Sequence, residues 1–354
     1  MIQKSNSSVF VNLPVIRSNI ECLATHVQEG VDIMAVVKAD AYGHGATAVA
    51  EYIQPQVDAF AVNDIEEGIQ LRKHGIAKPI LIFAVPEKDF VSEYRIHNLT
   101  ATVSAVEHFD WLPGGTSYHL NFDTGMGRLG FHPEQSQKVA ELVTENADLF
   151  CTGIYSHFAT ASNAGSERVI HQHKTFKDLR SNFPDGLNTH IANTGATAFY
   201  DTSQFNMVRL GIGIYGYAPG ETGIEGIEPA LSWQSRLVQV KEVKANNAIS
   251  YGARWQAPGN GYLGVIPVGY DDGIKRNLSG NITVRIAEKE YEIVGSITMN
   301  FCMVYLGADQ YPTGEKVELI YRGNTAKEWA QTLGTIPYEI LTSINPKIPR
   351  KYSY

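Results

Sequence analysis

IMAVVKA, residues 33–39, is the stretch that decides the fold. An apolar, largely β-branched run closed by Lys38 and followed at once by DAYGHG (40–45) reads as a buried strand running into a loop. Runs of the same kind recur as AFAVN (59–63), PILIFA (79–84), TATVS (100–104), YHLNFD (118–123), CTGIYSH (151–157), THIANT (189–194) and MVRLGIGIYG (207–216). Between them, DIEEGIQLRKHG (64–75), HPEQSQKVAELVTENA (132–147) and GSERVIHQHKTFKDLRSNF (165–183) return apolar residues every three or four positions, the helical period. Strand and helix alternating through eight runs predict an α/β fold, a (β/α)8 TIM barrel over residues 10–226. A doubly wound open sheet is the competing architecture.

Past Gly226 the pattern changes. SRLVQVKEVKA (235–245), YLGVIPVGY (262–270), NITVRIAEKEYEIVGSI (281–297), CMVYLG (302–307) and KVELIYRG (316–323) read as strands joined by polar or Gly-rich turns, and only TAKEWAQTLG (325–334) reads as a helix. Residues 227–354 are therefore expected to form a mostly antiparallel β domain, with a strand from residues 1–9 joining it.

The 354 residues suffice for about two domains, and 44% apolar with 19% charged residues describes an ordinary globular chain. A formal charge of -8 with no basic stretch argues against nucleic acid as a partner. No run approaches membrane-spanning length, and MIQKSNSSVFVNL lacks the apolar centre of a signal peptide. Cys22, Cys151 and Cys302 show neither a CxxC pair nor metal spacing, so a reducing, cytoplasmic setting without a metal is expected.

In a barrel, chemistry gathers where strands end. A lysine at the end of a buried strand is desolvated, which lowers its pKa and suits it to Schiff-base chemistry; Lys38 reaching solvent, or pairing with Asp40, is the alternative. Arg128 follows the fifth run, His157 ends the sixth, Asn193 and Thr194 end the seventh, and Arg209 lies inside the eighth with Gly211, Ile212 and Gly213 behind it. Taken singly, a strand-end histidine is a core residue and a glycine a turn residue. A Gly-rich loop after the last strand is also the usual phosphate site of a barrel, and with a lysine opposite it suggests pyridoxal phosphate.

AVVKADAYGHG (35–45), DTGMGRLGF (123–131), SHFATA (156–161), MVRLGIGIYG (207–216), SYGARW (250–255), VGYDDG (268–273) and PYEILTSINPKIPR (337–350) together resemble, in order and over nearly the whole chain, the motifs of the alanine racemase family. The resemblance implies a barrel followed by a β domain, a head-to-tail homodimer with shared sites, and pyridoxal phosphate as cofactor. It implies Lys38 as the cofactor-bearing lysine and one acid/base group, with Tyr251 of the second subunit as the other. Tyr42, Thr194, Gly211, Ile212 and Tyr338 correspond to phosphate-holding positions. Arg209 matches the arginine facing the pyridine nitrogen, with His157 bonded to it and Asn193 nearby. Arg128 and Met299 correspond to substrate contacts, and Tyr270 and Arg276 to the lining of the entrance channel. Racemisation needs a proton taken from one face of the α-carbon and another delivered to the opposite face, which two separate groups accomplish most simply. Arginine keeps its proton, so Arg209 is expected to leave the ring nitrogen unprotonated and to favour reprotonation over transamination.

The sequence departs from the family pattern at Asn121, where many relatives carry a carbamylated lysine. A chloride ion or a direct amide contact is expected to position Arg128 instead. Ser162, Ser296 and Asn300 replace charged residues near the entrance, which leaves serine as the nearest competitor to alanine. A broad-specificity racemase, a decarboxylase of related architecture and a non-catalytic pyridoxal-phosphate carrier are the other readings.

Overall fold

The computed structural model describes residues 6–354; the first five residues of the expected N-terminal strand segment lie outside the described residues. The chain divides into two compact units. One comprises Val15–Ala41 and Gly45–Glu228; the other comprises the described residues through Pro14, the short piece Tyr42–His44, and Pro229–Tyr354.

Strand β1 (Ser8–Asn12) belongs to the second unit, and the first unit is built on β2 (Asp32–Val36), β3 (Ala59–Val62), β4 (Ile80–Ile82), β5 (Ala101–Val103), β6 (Ser117–Asn121), β7 (Phe150–Tyr155), β8 (Asn188–His190) and β9 (Met207–Leu210). Within β9-β2-β3-β4 and β5-β6-β7-β8 all pairings are parallel. Parallel bridges Leu81↔Thr100 and Asn193↔Arg209 join the two sets and close the ring. The eight strands are the eight apolar runs, and the barrel expectation holds against the open sheet. Every residue of β3, β4 and β5 is buried, which is why these strands read as unbroken apolar runs. Each fully buried Val, Ile or Phe contributes roughly 1.5–3 kcal/mol.

Gly153 interrupts β7 for a steric reason: a Cβ there would lie 2.7 Å from His119 Nε2 and 2.8 Å from the Asn188 carbonyl oxygen. An imidazole inside the barrel thus dictates a glycine in the neighbouring strand.

The second unit adds β10 (Leu231–Arg236), β11 (Gln239–Val243), β12 (Ala248–Ile249), β13 (Trp255–Gln256), β14 (Gly261–Ile266), β15 (Thr283–Ile286), β16 (Lys289–Val294), β17 (Cys302–Gly307), β18 (Lys316–Ile320) and β19 (Arg350–Ser353). Nine of its strands form one sheet in the order β11-β14-β17-β16-β15-β18-β10-β1-β19, antiparallel except where β1 meets β19. The expected helix is Ala326–Leu333, capped by Thr325 and Glu328 in a reciprocal capping box. A second helix, Pro337–Ser343, corrects the expectation of a single one. Two turns starting on proline carry too short a period to be read from sequence, although proline at the first turn is a helix-start signal.

Candidate active site

The backbone after Lys38 turns the wrong way. Ala39, Asp40, Ala41 and Tyr42 have φ of 52°, 54°, 53° and 53°, followed by Gly43 at 80°. Non-glycine residues pay about 1–2 kcal/mol each for this hand and normally visit it singly. The turn is tied by hydrogen bonds from Ala41 N–H to the Val37 carbonyl (2.9 Å) and Gly45 N–H to the Asp40 carbonyl (2.8 Å). Asp40 Oδ1 accepts from Ala46 N–H at 2.8 Å, so Asp40 is spent on the loop. Gly43 has no substitute, since a Cβ there would approach the Leu341 carbonyl oxygen to 2.5 Å.

Lys38 is half-buried, with Nζ 5.9 Å from the centroid of the Phe83 ring. Burial lowers its pKa, Arg128 and Arg209 lower it further, and Glu67 opposes them. The amine is thus biased towards its neutral, nucleophilic form.

Arg209 is 2% exposed and has no carboxylate ion pair among the described residues. Its Nη1 donates to His190 Nδ1 (2.7 Å) and the His190 carbonyl (3.1 Å). Its Nη2 donates to the Ser156 carbonyl (2.9 Å), His157 Nδ1 (3.0 Å) and the Ile191 carbonyl (3.3 Å). The guanidinium also lies 5.5 Å from the centroid of the Tyr155 ring. Burial pulls its pKa down to about 10, which still leaves it charged at neutral pH. A guanidinium only donates, so the Nδ1 atoms of His157 and His190 must be bare and their protons sit on Nε2. His190 Nε2–H then donates to His119 Nδ1 at 2.9 Å. Tyr155 stacks on His190 with ring centroids 5.0 Å apart and planes 2° from parallel, and its hydroxyl meets Thr102 Oγ1 at 3.0 Å. Burial, with Arg209 adding repulsion, holds His157 and His190 neutral and takes His119 down to about 3.

Asn193 caps the helix Thr194–Phe199, accepting from Ala196 N–H at 3.1 Å. Thr194 Oγ1 accepts from Gly211 N–H at 2.9 Å, so the loops after β8 and β9 meet. Ile212 opens a short 3-10 turn, Ile212–Tyr215, where the expected strand stops. In the second unit Tyr42 and Tyr338 pack with ring centroids 5.7 Å apart, and burial raises the Tyr338 phenol to about 12. Tyr251 lies in an irregular turn after Ser250 (φ 66°) and is 70% exposed, with Met299 54% and Tyr270 44% exposed. Arg276 and Ser296 line an open groove of about 330 Å³ together with Arg254, a residue the sequence reading passed over. Asn121 is buried at the end of β6, and no hydrogen bond joins its side chain to Arg128, which makes no ion pair among the described residues.

Sequence reasoning missed His119, His190 and Tyr155. The available signal was polarity: YHLNFD and THIANT each place a histidine in a run that is otherwise core.

A closed barrel with a desolvated lysine at the end of its first strand, and a buried arginine in its last, is the class of fold and site that the chain presents. Comparison with known proteins narrows this class. Residues 11–219 match the family described as "Alanine racemase, N-terminal domain", and residues 230–352 match "Alanine racemase, C-terminal domain". The alanine racemase of Streptococcus gordonii is 38% identical over 98% of this chain and 97% of its own. The crystal structure of alanine racemase from E. faecalis is 31% identical, covers 98% of each chain and superposes with a TM-score of 0.93. That of Bartonella henselae alanine racemase, with covalently bound pyridoxal phosphate, is 26% identical over 99% of this chain and 100% of its own, with a TM-score of 0.89. The chain belongs to the alanine racemase family, whose members depend on pyridoxal phosphate.

Proposed function

We propose that this protein interconverts L- and D-alanine, with pyridoxal phosphate held by Lys38 and with Lys38 and Tyr251 of a second subunit exchanging protons on opposite faces of the substrate. The observation that carries the reading is the convergence of Lys38, Arg128, Arg209 and His157 in one electrostatic neighbourhood of the barrel.

The residues fit the cofactor. The hydrogen bond from Gly211 N–H to Thr194 Oγ1 brings the loops after β8 and β9 together, as a phosphate cradle would require. Arg209 has both Nη atoms committed to the protein, and its Nε has no described acceptor; it is the donor that remains for a ring nitrogen. When bound, pyridoxal phosphate supplies the electron sink that makes the α-proton of an amino acid removable. Lys38, kept from full protonation, removes or returns that proton on its own side. In this reading Arg128 receives the substrate carboxylate. With Asn121 neutral and no carboxylate paired to Arg128, a chloride ion near Asn121 is the proposed orienting charge.

The exposure of Tyr251 and Met299 supports a homodimer in which a second copy covers them. Three unpaired thiols agree with a cytoplasmic setting, and no helix among the described residues is long and apolar enough to cross a membrane.

The test is chiral chromatography of the cofactor-loaded protein incubated with L-alanine and, separately, L-serine. D-alanine forming faster than D-serine, with neither formed by Lys38→Ala, is the expected result. Faster D-serine would change the substrate, and cofactor binding with no D-product would favour the carrier. Mixing inactive Lys38→Ala and Tyr251→Phe proteins tests the shared site: hybrids carry one intact site, so about a quarter of wild-type activity should return if subunits exchange at random.

A further inference from the structure

We propose that Glu67 positions Lys38, its carboxylate anchoring the left-handed turn that follows the lysine and setting a negative charge against Arg128 and Arg209. The proposal rests on Lys38 being the cofactor-bearing lysine.

Glu67 lies in the helix Ile65–Lys73, which follows β3, whereas the turn follows β2. Its Oε2 accepts from Asn63 N–H at 2.8 Å, and its Oε1 from Asp40 N–H at 3.4 Å. One side chain thus gathers amides from two consecutive barrel loops. The amide of Asp40 belongs to a residue at φ 54°, inside the left-handed run. The 2.8 Å bond from Asn63 fixes the carboxylate on its own loop, and the longer 3.4 Å contact to Asp40 N–H is its reach to the turn.

Among the charged groups acting on Lys38, Arg128 and Arg209 are cations, Glu67 is the anion, and His157 alongside is held neutral. Burial, with Asp64 nearby, pushes the Glu67 carboxyl up, while its amide donors pull it back towards ionisation. Two arginines and desolvation alone push Lys38 towards its neutral form. A lysine that returns a proton must also be able to hold one, and Glu67 supplies that balance.

The experiment uses the full-length protein freed of cofactor and reductively methylated with a carbon-13 label. The Lys38 resonance is assigned by its loss in Lys38→Ala and titrated in wild type, Glu67→Gln, Glu67→Asp and Glu67→Ala. Amide hydrogen exchange over residues 39–41 is followed in parallel. Glu67→Gln keeps an acceptor without the charge, so Lys38 should titrate about one pH unit lower while exchange stays near wild type. Glu67→Ala should show the same fall and also exchange on the order of tenfold faster. Glu67→Asp, keeping the charge, should restore the Lys38 titration. An unchanged Lys38 titration in both Gln and Ala variants overturns the electrostatic role; unchanged exchange in Glu67→Ala overturns the anchoring. Should Glu67→Ala not fold, Glu67→Gln still decides the charge and Glu67→Asp the geometry. Borohydride reduction of the loaded wild-type protein and peptide mapping separate the two levels: cofactor found on another lysine would sink the site reading, while the Glu67 effects are read without cofactor.

Discussion

Two arginines show how differently the two units use charge. In the β unit, Arg285 on β15 meets Glu318 on the adjacent β18 with Nε 2.7 Å from Oε2, and the pair raises the arginine's pKa. In the barrel, Arg209 is buried with no carboxylate partner, held by carbonyls, imidazoles and an aromatic face, and its pKa is pulled down to about 10. The first arrangement is self-sufficient: each charge is answered by its neighbour across the sheet. The second answers the guanidinium with carbonyls, imidazoles and a ring face, which fixes its place and its tautomeric neighbours. Unpaired burial of a charge is unfavourable for stability, so its presence points to chemistry.

The comparison can be broken by substitution, and the largest effect is expected at the amine. Lys38→Ala should lower D-alanine formation by about four orders of magnitude or more, with the melting temperature near wild type, read by chiral chromatography and calorimetry. Arg209→Met comes next. It strands the acceptors of His157, His190, Ser156 and Ile191, and should cost roughly 3–5 kcal/mol in denaturant unfolding together with racemisation. Arg285→Ala should cost no more than about 1 kcal/mol and leave turnover unchanged, since its pair is partly exposed. Equal losses from the two arginine variants would erase the contrast.

A smaller effect is expected from pH. His119, His157 and His190 are neutral in the fold with pKa values depressed below 6.5, His119 to about 3. The unfolded chain binds more protons between the unfolded and folded values, so this contribution to stability is complete above about pH 6.5 and is lost as pH falls towards 3. Denaturant unfolding at stepped pH should show that loss in wild type, with a shallower slope in His119→Leu. A wild-type stability that is flat from pH 6.5 to 5 would mean these imidazoles are not as sheltered as their contacts indicate.

Much of the barrel was legible in the sequence because a parallel strand buried on both faces cannot alternate polar and apolar residues; AFAV and ILI had little else to be. Lys38 was legible for the same reason in reverse, as a charge ending an apolar run. Glu67 was not, because a glutamate in DIEEGIQLRKHG looks like any solvated helix residue until the neighbouring loop is in place. The His119–His190 contact spans 71 residues, and no local pattern announces it. The helix at Pro337 was too short for its period to show. The left-handed turn was the least legible, since in ADAY only Asp40 is a residue that visits that hand with any frequency; the surrounding structure overrules local preference at Ala39, Ala41 and Tyr42.

That turn has a stereochemical consequence. A φ near +53° at Ala39 and Ala41 is the mirror image of the value an ordinary helix adopts, so a D-residue would rest there without strain. Replacing the exposed Ala39 by its D-enantiomer through chemical ligation should therefore stabilise the fold, by about 1 kcal/mol on the cost of the left-handed region. Beside the lysine proposed to exchange the two hands of alanine, the chain itself holds two alanines in the backbone geometry of the product.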